Sequence, residues 1–285
     1  NIPERKEEDI KNDINKEVSN YKLVLELIEF YLYERRPDDA LKKLLTLNEE
    51  KIGKFKMHNL KGMIYTLQGK TDLALIDFNK ALEINPENYE IHNNLAVVYQ
   101  IMGNYNPAIE HLNKSIKENF LNTWAYNNLG MIYNTKKNYT EAEESFYFAK
   151  VSDLQSPWAR HNLAWSYMKL NKFEEAIKEM KKAINLSPEE VTFHSHLGWI
   201  YQEKGDRENA LTCYKKALTI DPAHANLYNS TGVIFSDEHK YTEAIKNYKK
   251  ALALAPQEEL YQRNLGITYY KMNRYKEEQK NLKKH

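Results

Sequence analysis

Residues 123–150 read TWAYNNLGMIYNTKKNYTEAEESFYFAK, and their apolar positions have the spacing of two amphipathic helices joined by a short polar turn. Each helix carries a single apolar stripe, so neither is apolar enough to stand alone, and neighbouring helices must cover the pair. The positions that form the two stripes are Leu129, Gly130 and Tyr133, then Tyr139, Ala142, Phe146 and Ala149.

The same pattern returns every 34 residues without an insertion or a deletion. A fixed period of this length predicts a solenoid of stacked helical hairpins. We predict a charged leader or capping helix at 1–20, then an array at 21–285 whose last repeat is partial and acts as a cap. The eight repeats span 21–54, 55–88, 89–122, 123–156, 157–190, 191–224, 225–258 and 259–285.

Three kinds of residue recur at fixed places in the repeat. Glycine or alanine lets two helices approach closely, and the first-helix aromatic is expected to fill the gap toward the next repeat. Glycine or asparagine accepts the left-handed conformation that ends a helix, and proline stops the second helix. Examples are Gly130 and Ala142 for the small residues, Tyr133 for the aromatic, Gly69, Gly103, Asn171, Gly205 and Asn273 for the helix ends, and Pro86, Pro188, Pro222 and Pro256 for the stops.

From about Tyr21 to the end, the chain resembles the tetratricopeptide repeat (TPR) family. The segments that carry the resemblance are NNLGMIY (127–133), HLGWIYQEKGDRENALTCYKKALTIDP (196–222) and TGVIFSDEHKYTEAIKNYKKALALAP (231–256). The resemblance implies an all-α fold, a right-handed superhelical α-solenoid of helix-turn-helix repeats. It says little about function, because this scaffold hosts many binding roles.

The two ends of the chain depart from the regular pattern. Half of residues 1–20 are charged, and Ile10, Ile14 and Val18 predict a short helix that lays one thin stripe on the first repeat. This segment is either a solvated cap or a partner-binding arm. In repeat 8, Glu278 replaces the small alanine, which predicts a C-terminal cap or, alternatively, a truncated longer array.

Composition argues against several classes of partner. The net charge is +1 with acids and bases interspersed, which disfavours nucleic acids and anionic membranes, and no apolar run is long enough to enter and span a bilayer. The single cysteine, Cys213, excludes an internal disulfide and permits a reducing compartment. We therefore expect a cytoplasmic location. The first residue is asparagine, which predicts a fragment or a processed chain.

No arrangement typical of catalysis or metal binding occurs in the sequence. HExxH, CxxC and glycine-rich phosphate loops are missing, and His58, His92 and His194 occupy the same slot of separate repeats. Cys213 lies beside a core slot, which predicts a buried, inert thiol. We predict a protein that is not an enzyme and has no cofactor, metal site or catalytic residue.

Asparagines recur at two adjacent slots of the first helices, as Asn93 and Asn127 and as Asn94, Asn128 and Asn162. A side-chain amide can both donate to and accept from an extended peptide backbone. The row is similar to the asparagine ladder in the TPR arm of O-linked N-acetylglucosamine transferase. That resemblance implies that the Asn94 row contacts ligand backbone. The alternative is that these amides bridge neighbouring helices.

All four tryptophans fall in two slots of the first helices, Trp124 with Trp158 and Trp165 with Trp199. Aromatic and methionine side chains on a groove wall are favoured anchors for a partner, although such stripes can also belong to the core. The predicted peptide-binding residues are Asn93, Asn94, Trp124, Asn127, Asn128, Met131, Trp158, His161, Asn162, Trp165 and Trp199.

The sequence thus predicts a scaffold that binds an extended or helical segment of a protein partner in a concave groove centred on repeats 3 to 6. Chaperone adaptors of this family hold an acidic terminus with lysine and arginine, whereas Asn128, Trp158 and Asn162 occupy such slots here. The ligand is therefore expected to be neutral or apolar. Two alternatives stay open. The chain could self-assemble through an exposed Tyr147–Phe148 pair, or it could be the arm of a larger enzyme or regulator.

Overall fold

The structure, a computed structural model, describes the backbone of residues 5–16 and 20–282 and the side chains of 5–14 and 20–276. All regular secondary structure in these residues is helical, which confirms the all-α class. The chain forms two compact units, an N-terminal unit of residues 1–153 and a C-terminal unit of residues 154–285.

Each unit is a series of consecutive helices. The N-terminal unit contains α1 Glu7–Lys16, α2 Tyr21–Tyr33, α3 Pro37–Leu44, α4 Glu49–Ile52, α5 Lys54–Leu67, α6 Thr71–Ile84, α7 Tyr89–Ile101, α8 Tyr105–Glu118, α9 Thr123–Thr135 and α10 Tyr139–Ser152. The C-terminal unit contains α11 Pro157–Lys169, α12 Phe173–Leu186, α13 Val191–Lys204, α14 Arg207–Ile220, α15 Ala225–Asp237, α16 Tyr241–Leu254 and α17 Glu259–Leu282.

Successive helices form hairpins, and most first helices begin at the first residue of a repeat. Polar side chains satisfy the free amides at these starts: Asn88 accepts a hydrogen bond from the Ile91 amide at 2.9 Å, and Asn122 accepts one from Ala125 at 3.2 Å. Between α3 and α5, the short helix α4 is an addition that the repeat pattern did not predict.

The turn inside each hairpin has one residue in the left-handed conformation. Gly69, Gly103, Asn171 and Gly205 adopt it, as the sequence predicted. The same slot holds Arg35, Lys137 and His239 in other repeats, with φ between 55° and 62°. These side chains pay a conformational cost of roughly 1–2 kcal/mol, so the turn geometry is imposed by the packing of the hairpin as well as by residue preference.

The small residues of the first helices lie against large rings of the second helices. A Cβ at Gly62 or Gly130 would lie 2.6 Å from the ring of Phe78 or Phe146, and a Cβ at Gly198 would lie 2.5 Å from Tyr214. The ring that touches each of these glycines belongs to the second helix of the same repeat.

The helices at the two ends differ in how they pack. In α1, Ile10 is fully buried against the first repeat, and Ile14 packs beside it, whereas Val18 lies outside the described residues. At the other end, repeat 8 forms one continuous helix, α17. The predictions of a helix end at Asn273 and of a return helix after it are therefore wrong. Elsewhere an alanine buried in the hairpin lets the return helix approach, and repeat 8 has Glu278 in that slot.

Candidate functional site

The histidine row predicted to be spread along the array serves the loops between repeats. His92 Nε2 donates to the carbonyl of Pro86 at 3.0 Å, and His194 Nε2 donates to that of Pro188 at 2.7 Å. At the same slot, Arg160 donates to the Leu154 carbonyl at 2.8 Å. In these three repeats the slot therefore closes the loop that precedes the first helix, whereas His58 in repeat 2 contacts Asp77 at 2.7 Å.

The asparagine row forms hydrogen bonds between neighbouring first helices. Asn94 Nδ2 donates to Asn59 Oδ1 at 3.4 Å, and Asn128 Nδ2 donates to Asn93 Oδ1 at 3.1 Å. In the C-terminal unit, Asn264 donates to Asn229 in the same way at 2.9 Å. Each bond joins positions 35 residues apart. This is the bridging that the sequence left open as the alternative, and it uses one donor or acceptor of each amide.

In the N-terminal unit, the predicted apolar residues lie at the surface of α9. Trp124 is 74% exposed and Met131 is also exposed, although both belong to a helix whose opposite face is buried. Asn127 lies between them and donates to the Thr123 carbonyl at 3.1 Å. The predicted site residues of this unit therefore lie on α7 and α9, where the Asn93–Asn128 pair joins the two helices and Trp124 and Met131 are exposed.

In the C-terminal unit, the predicted residues of α11 meet aromatic residues of α13. Trp158, which is 48% exposed, packs edge-on against Phe193 with ring centroids 4.9 Å apart. His161 is only 8% exposed and stacks on His196 at 4.9 Å. Its Nδ1 lies 3.0 Å from Asn162 Oδ1, and its Nε2 lies 2.6 Å from His196 Nδ1. His161 is therefore a buried residue that holds the side chains of Asn162 and His196 in place.

The hydrogen bonds define the proton positions on this histidine pair. An amide oxygen only accepts, so His161 Nδ1 carries a proton and its Nε2 accepts from His196 Nδ1–H. Burial lowers the pKa of His161, and burial together with the positive potential of neighbouring histidines lowers the pKa of His196 to about 4. Both rings are consequently neutral at pH 7, and the link between α11 and α13 is intact.

Trp165 and Trp199 form a corner between α11 and α13. Their ring centroids are 4.8 Å apart at an angle of 70°, and both rings are partly buried. The ammonium of Lys169 lies 4.8 Å from the Trp165 ring centre and 5.2 Å from that of Trp199. Trp199 Nε1 donates to Glu203 Oε1 at 2.9 Å. We refer to these four residues as the indole corner.

Sequence reasoning missed His196, Phe193, Lys169 and Glu203 as members of this face. Two spacings in the sequence could have indicated them. Lys169 and Glu203 each follow a tryptophan by four residues, which places them on the same helical face. His161 and His196 are 35 residues apart, the separation at which the asparagines also pair.

Other features of the molecule lie outside these faces. Burial raises the pKa of the Cys213 thiol to about 11. Among the described residues, no group of three or more histidine, cysteine or acidic side chains could hold a metal ion. None of the helices that they form combines the length and apolar content needed to cross a bilayer. A cavity of about 420 Å³ opens at the turn between α7 and α8, and none of the predicted site residues lines it.

Two family models match the chain. The model described as TPR repeat matches residues 62–103, 165–205 and 234–273, and the model described as Tetratricopeptide repeat matches 89–120, 125–147 and 191–224. The chain belongs to the tetratricopeptide repeat family. The matches of this TPR chain fall on repeats 2 to 7 and the first part of repeat 8, and they leave the first repeat outside. No curated protein sequence matches it.

Solved structures share the TPR fold at low sequence identity. YrrB, described as a TPR protein with an unusual peptide-binding site, is 22% identical with a TM-score of 0.54, over 65% of this chain and 96% of its own. PilF of Pseudomonas aeruginosa is 21% identical with a TM-score of 0.62, over 74% of this chain and 96% of its own. The Cut9–Hcn1 complex is 16% identical with a TM-score of 0.69, over 91% of this chain and 51% of its own.

Proposed function

We propose that this TPR protein is a scaffold that binds a peptide segment of a protein partner on its first helices. The contact residues would be Trp124, Met131, Asn94 and the Asn93–Asn128 pair with Asn127 in the N-terminal unit. In the C-terminal unit they would be Trp158, Asn162, Trp165 and Trp199. The observation that carries the proposal is the exposure of Trp124 and Trp158 on helices whose other faces are well packed.

Exposed indoles at a repeated slot are not needed for the repeat itself. The slot of Trp124 and Trp158 holds Glu90 and Thr192 in neighbouring repeats, so the hairpin forms without a large apolar side chain there. Tryptophan is enriched among the residues that contribute most to protein interfaces, because it buries a large area at a small loss of side-chain freedom. Two such residues therefore indicate a contact surface.

The paired amides suit the backbone of a bound segment. Each of the two bonds that join α5 to α7 and α7 to α9 uses one amide group, which leaves the Asn128 oxygen and the Asn93 nitrogen for a ligand. The bonds also hold the side chains in place, so a ligand would lose less entropy on binding them. The bridging role and the binding role are therefore compatible.

The neutral character of these side chains favours a segment that is mainly neutral or apolar. The faces combine indole, thioether and amide groups, and His161 and His196 are neutral at pH 7. His161 supplies no free ring nitrogen, because Asn162 and His196 use both. We therefore assign His161 a positioning role.

The experiment is a peptide-display selection on the full chain, followed by fluorescence-anisotropy titration of the selected peptide. The double substitution Asn128→Ala with Trp158→Ala removes one amide and one indole. We expect it to weaken binding at least tenfold, since truncating an interface hot spot costs about 2 kcal/mol or more. Helical content by circular dichroism should be unchanged.

Tyr147→Ala is the matched control, because Tyr147 is 46% exposed, a fraction similar to the 48% of Trp158, but lies on the second helix α10. It should leave the affinity unchanged. Equal binding by the wild type and the Asn128/Trp158 variant would remove the first-helix faces from consideration.

A second candidate function is self-association through α10. Tyr147 and Phe148 are both exposed, and Phe148 stacks on Tyr126 with ring centroids 5.4 Å apart. Lysine pairs occupy this slot in repeats 5, 6 and 7. Light scattering over a hundredfold concentration range tests this function, and a constant monomer mass would exclude it. A mass that increases with concentration should return to the monomer value with Tyr147→Lys and Phe148→Lys.

A further inference from the structure

The indole corner holds the ammonium of Lys169, which is not paired with a carboxylate of any residue that the structure describes. Among the described residues, Lys169 forms no ion pair and no hydrogen bond, and its ammonium contacts the faces of Trp165 and Trp199. A free lysine side chain on a helix surface ordinarily extends into water. Its position over two indoles therefore reports the attraction of an ammonium to the negative ring faces.

Packing of the repeats does not require this pair of tryptophans. The same slot holds Met63, Val97 and Met131 in repeats 2 to 4, and Val233 in repeat 7. Only in repeats 5 and 6 do indoles occupy it, and there they stand in adjacent helices with centroids 4.8 Å apart. A half-buried slot that tolerates valine and carries two neighbouring tryptophans, of which Trp165 also packs against the core, indicates recognition by the exposed parts of the rings.

Two further features fit a cation. Glu203 accepts a hydrogen bond from Trp199 Nε1, so its carboxylate fixes the orientation of that ring and lies beside it. Two indole faces at a large angle, with a carboxylate nearby, form the kind of aromatic site that recognises alkylammonium groups. The neighbouring His196 packs against Trp165 at 5.2 Å and is neutral at pH 7, so it does not repel a cation.

We propose that the indole corner binds an alkylammonium group, the end of a lysine side chain with or without N-methyl groups, on the partner segment that docks on the first helices. This inference rests on the proposed function and adds one specific residue type to a segment that is otherwise neutral or apolar. Lys169 occupies the corner in the free protein and leaves it when the partner's ammonium enters.

The test is an NMR titration of the full chain, read from the four indole N–H resonances assigned by single Trp→Phe substitutions. The probe is tetramethylammonium chloride, compared with sodium chloride at equal ionic strength and with tert-butanol as a neutral molecule of similar shape. Tetramethylammonium should shift the Trp165 and Trp199 resonances in a saturable manner. Trp124, in the other unit, is the internal control and should not move.

Lys169→Met removes the resident competitor and keeps a long apolar side chain. It should raise the affinity for tetramethylammonium about two- to fivefold, the factor expected when a surface cation–π contact no longer competes. Trp199→Leu should abolish saturable binding while circular dichroism shows unchanged helical content. Glu203→Gln should weaken binding, because the negative charge beside the rings is lost.

Equal shifts with tert-butanol, or a Lys169→Met affinity no higher than that of the wild type, would overturn the inference. The titration uses no peptide, so it is independent of whether a peptide binds. If peptide binding depends on Asn128 and Trp158 but the indole corner does not bind tetramethylammonium, only the inference about the indole corner fails. If the corner binds the cation but no peptide depends on those residues, the scaffold proposal fails, and the cation site stands without its assignment to a docked segment.

Discussion

The close contact of Gly198 with Tyr214 allows a direct test of the packing inside the hairpins. A methyl group at residue 198 would lie 2.5 Å from a ring carbon of Tyr214 and 3.2 Å from the backbone oxygen of Ala210. The ring cannot easily move away, because Tyr214 is buried and its hydroxyl donates to Gln202 at 2.9 Å. We predict that Gly198→Ala destabilises the C-terminal unit.

Two opposing terms set the magnitude. Replacing glycine by alanine inside a helix stabilises it by about 1 kcal/mol, and forcing an extra methyl group into a packed core costs about 1–3 kcal/mol. Gly266 provides the matched control: it also lies inside a helix, but a methyl group there would have no neighbour within 4 Å. The helix term is common to both variants, so the difference between them should equal the packing cost, about 1–3 kcal/mol.

The assay is urea unfolding followed by circular dichroism, with hydrogen exchange of the α13 amides as a local readout, because repeat arrays do not always unfold in one step. Gly198→Ala should lower the urea midpoint and the local protection. Gly266→Ala should leave both unchanged or raise them. If the two variants have the same midpoint, the tight contact between Gly198 and Tyr214 does not exist as described and the reasoning is refuted.

Three further predictions concern ionisable groups of the C-terminal unit. Burial lowers the pKa of His196 from 6.5 to about 4, so the free energy of unfolding should be highest above pH 6.5 and should decrease by up to about 3 kcal/mol toward pH 4. Thermal unfolding at several pH values measures this, and His196→Asn should flatten the pH dependence. Glu179→Gln should cost about 3–5 kcal/mol in urea unfolding, because it leaves the largely buried side chain of Arg160 without its 2.8 Å carboxylate partner. Arg160→Met with Glu179→Leu should cost less. Cys213, whose pKa is about 11, should react with iodoacetamide at pH 7.5 much more slowly in the folded chain than in urea, and equal rates would contradict its partial burial.

The fold followed from the sequence because each repeat solves the same local problem. A helix with one apolar stripe must be covered, and the same residues recur every 34 positions at the contacts that cover it. Gly69, Gly103 and Gly205 marked the ends of first helices for the same reason, since a left-handed residue is easiest for glycine. Arg35 and His239 adopt that conformation too, but these residue types do not predict a left-handed backbone.

The last repeat shows where this local reasoning stopped. The period predicted a turn at Asn273, but a turn forms only if the returning helix can pack against the one before it. That depends on contacts between residues distant along the chain. In the structure α17 continues through this position to Leu282.

The candidate site divides in the same way. Sequence alone determined which residue types recur on the first helices, because tryptophan, asparagine and histidine appear at identical slots of the repeat. The tertiary structure decided which of them meet, because a bond such as Asn128 to Asn93 depends on how adjacent hairpins stack. It also decided that His161 is buried under His196 while Trp124 remains exposed. A helical pattern defines a face, and only the packing of neighbouring helices defines how much of that face remains for a partner.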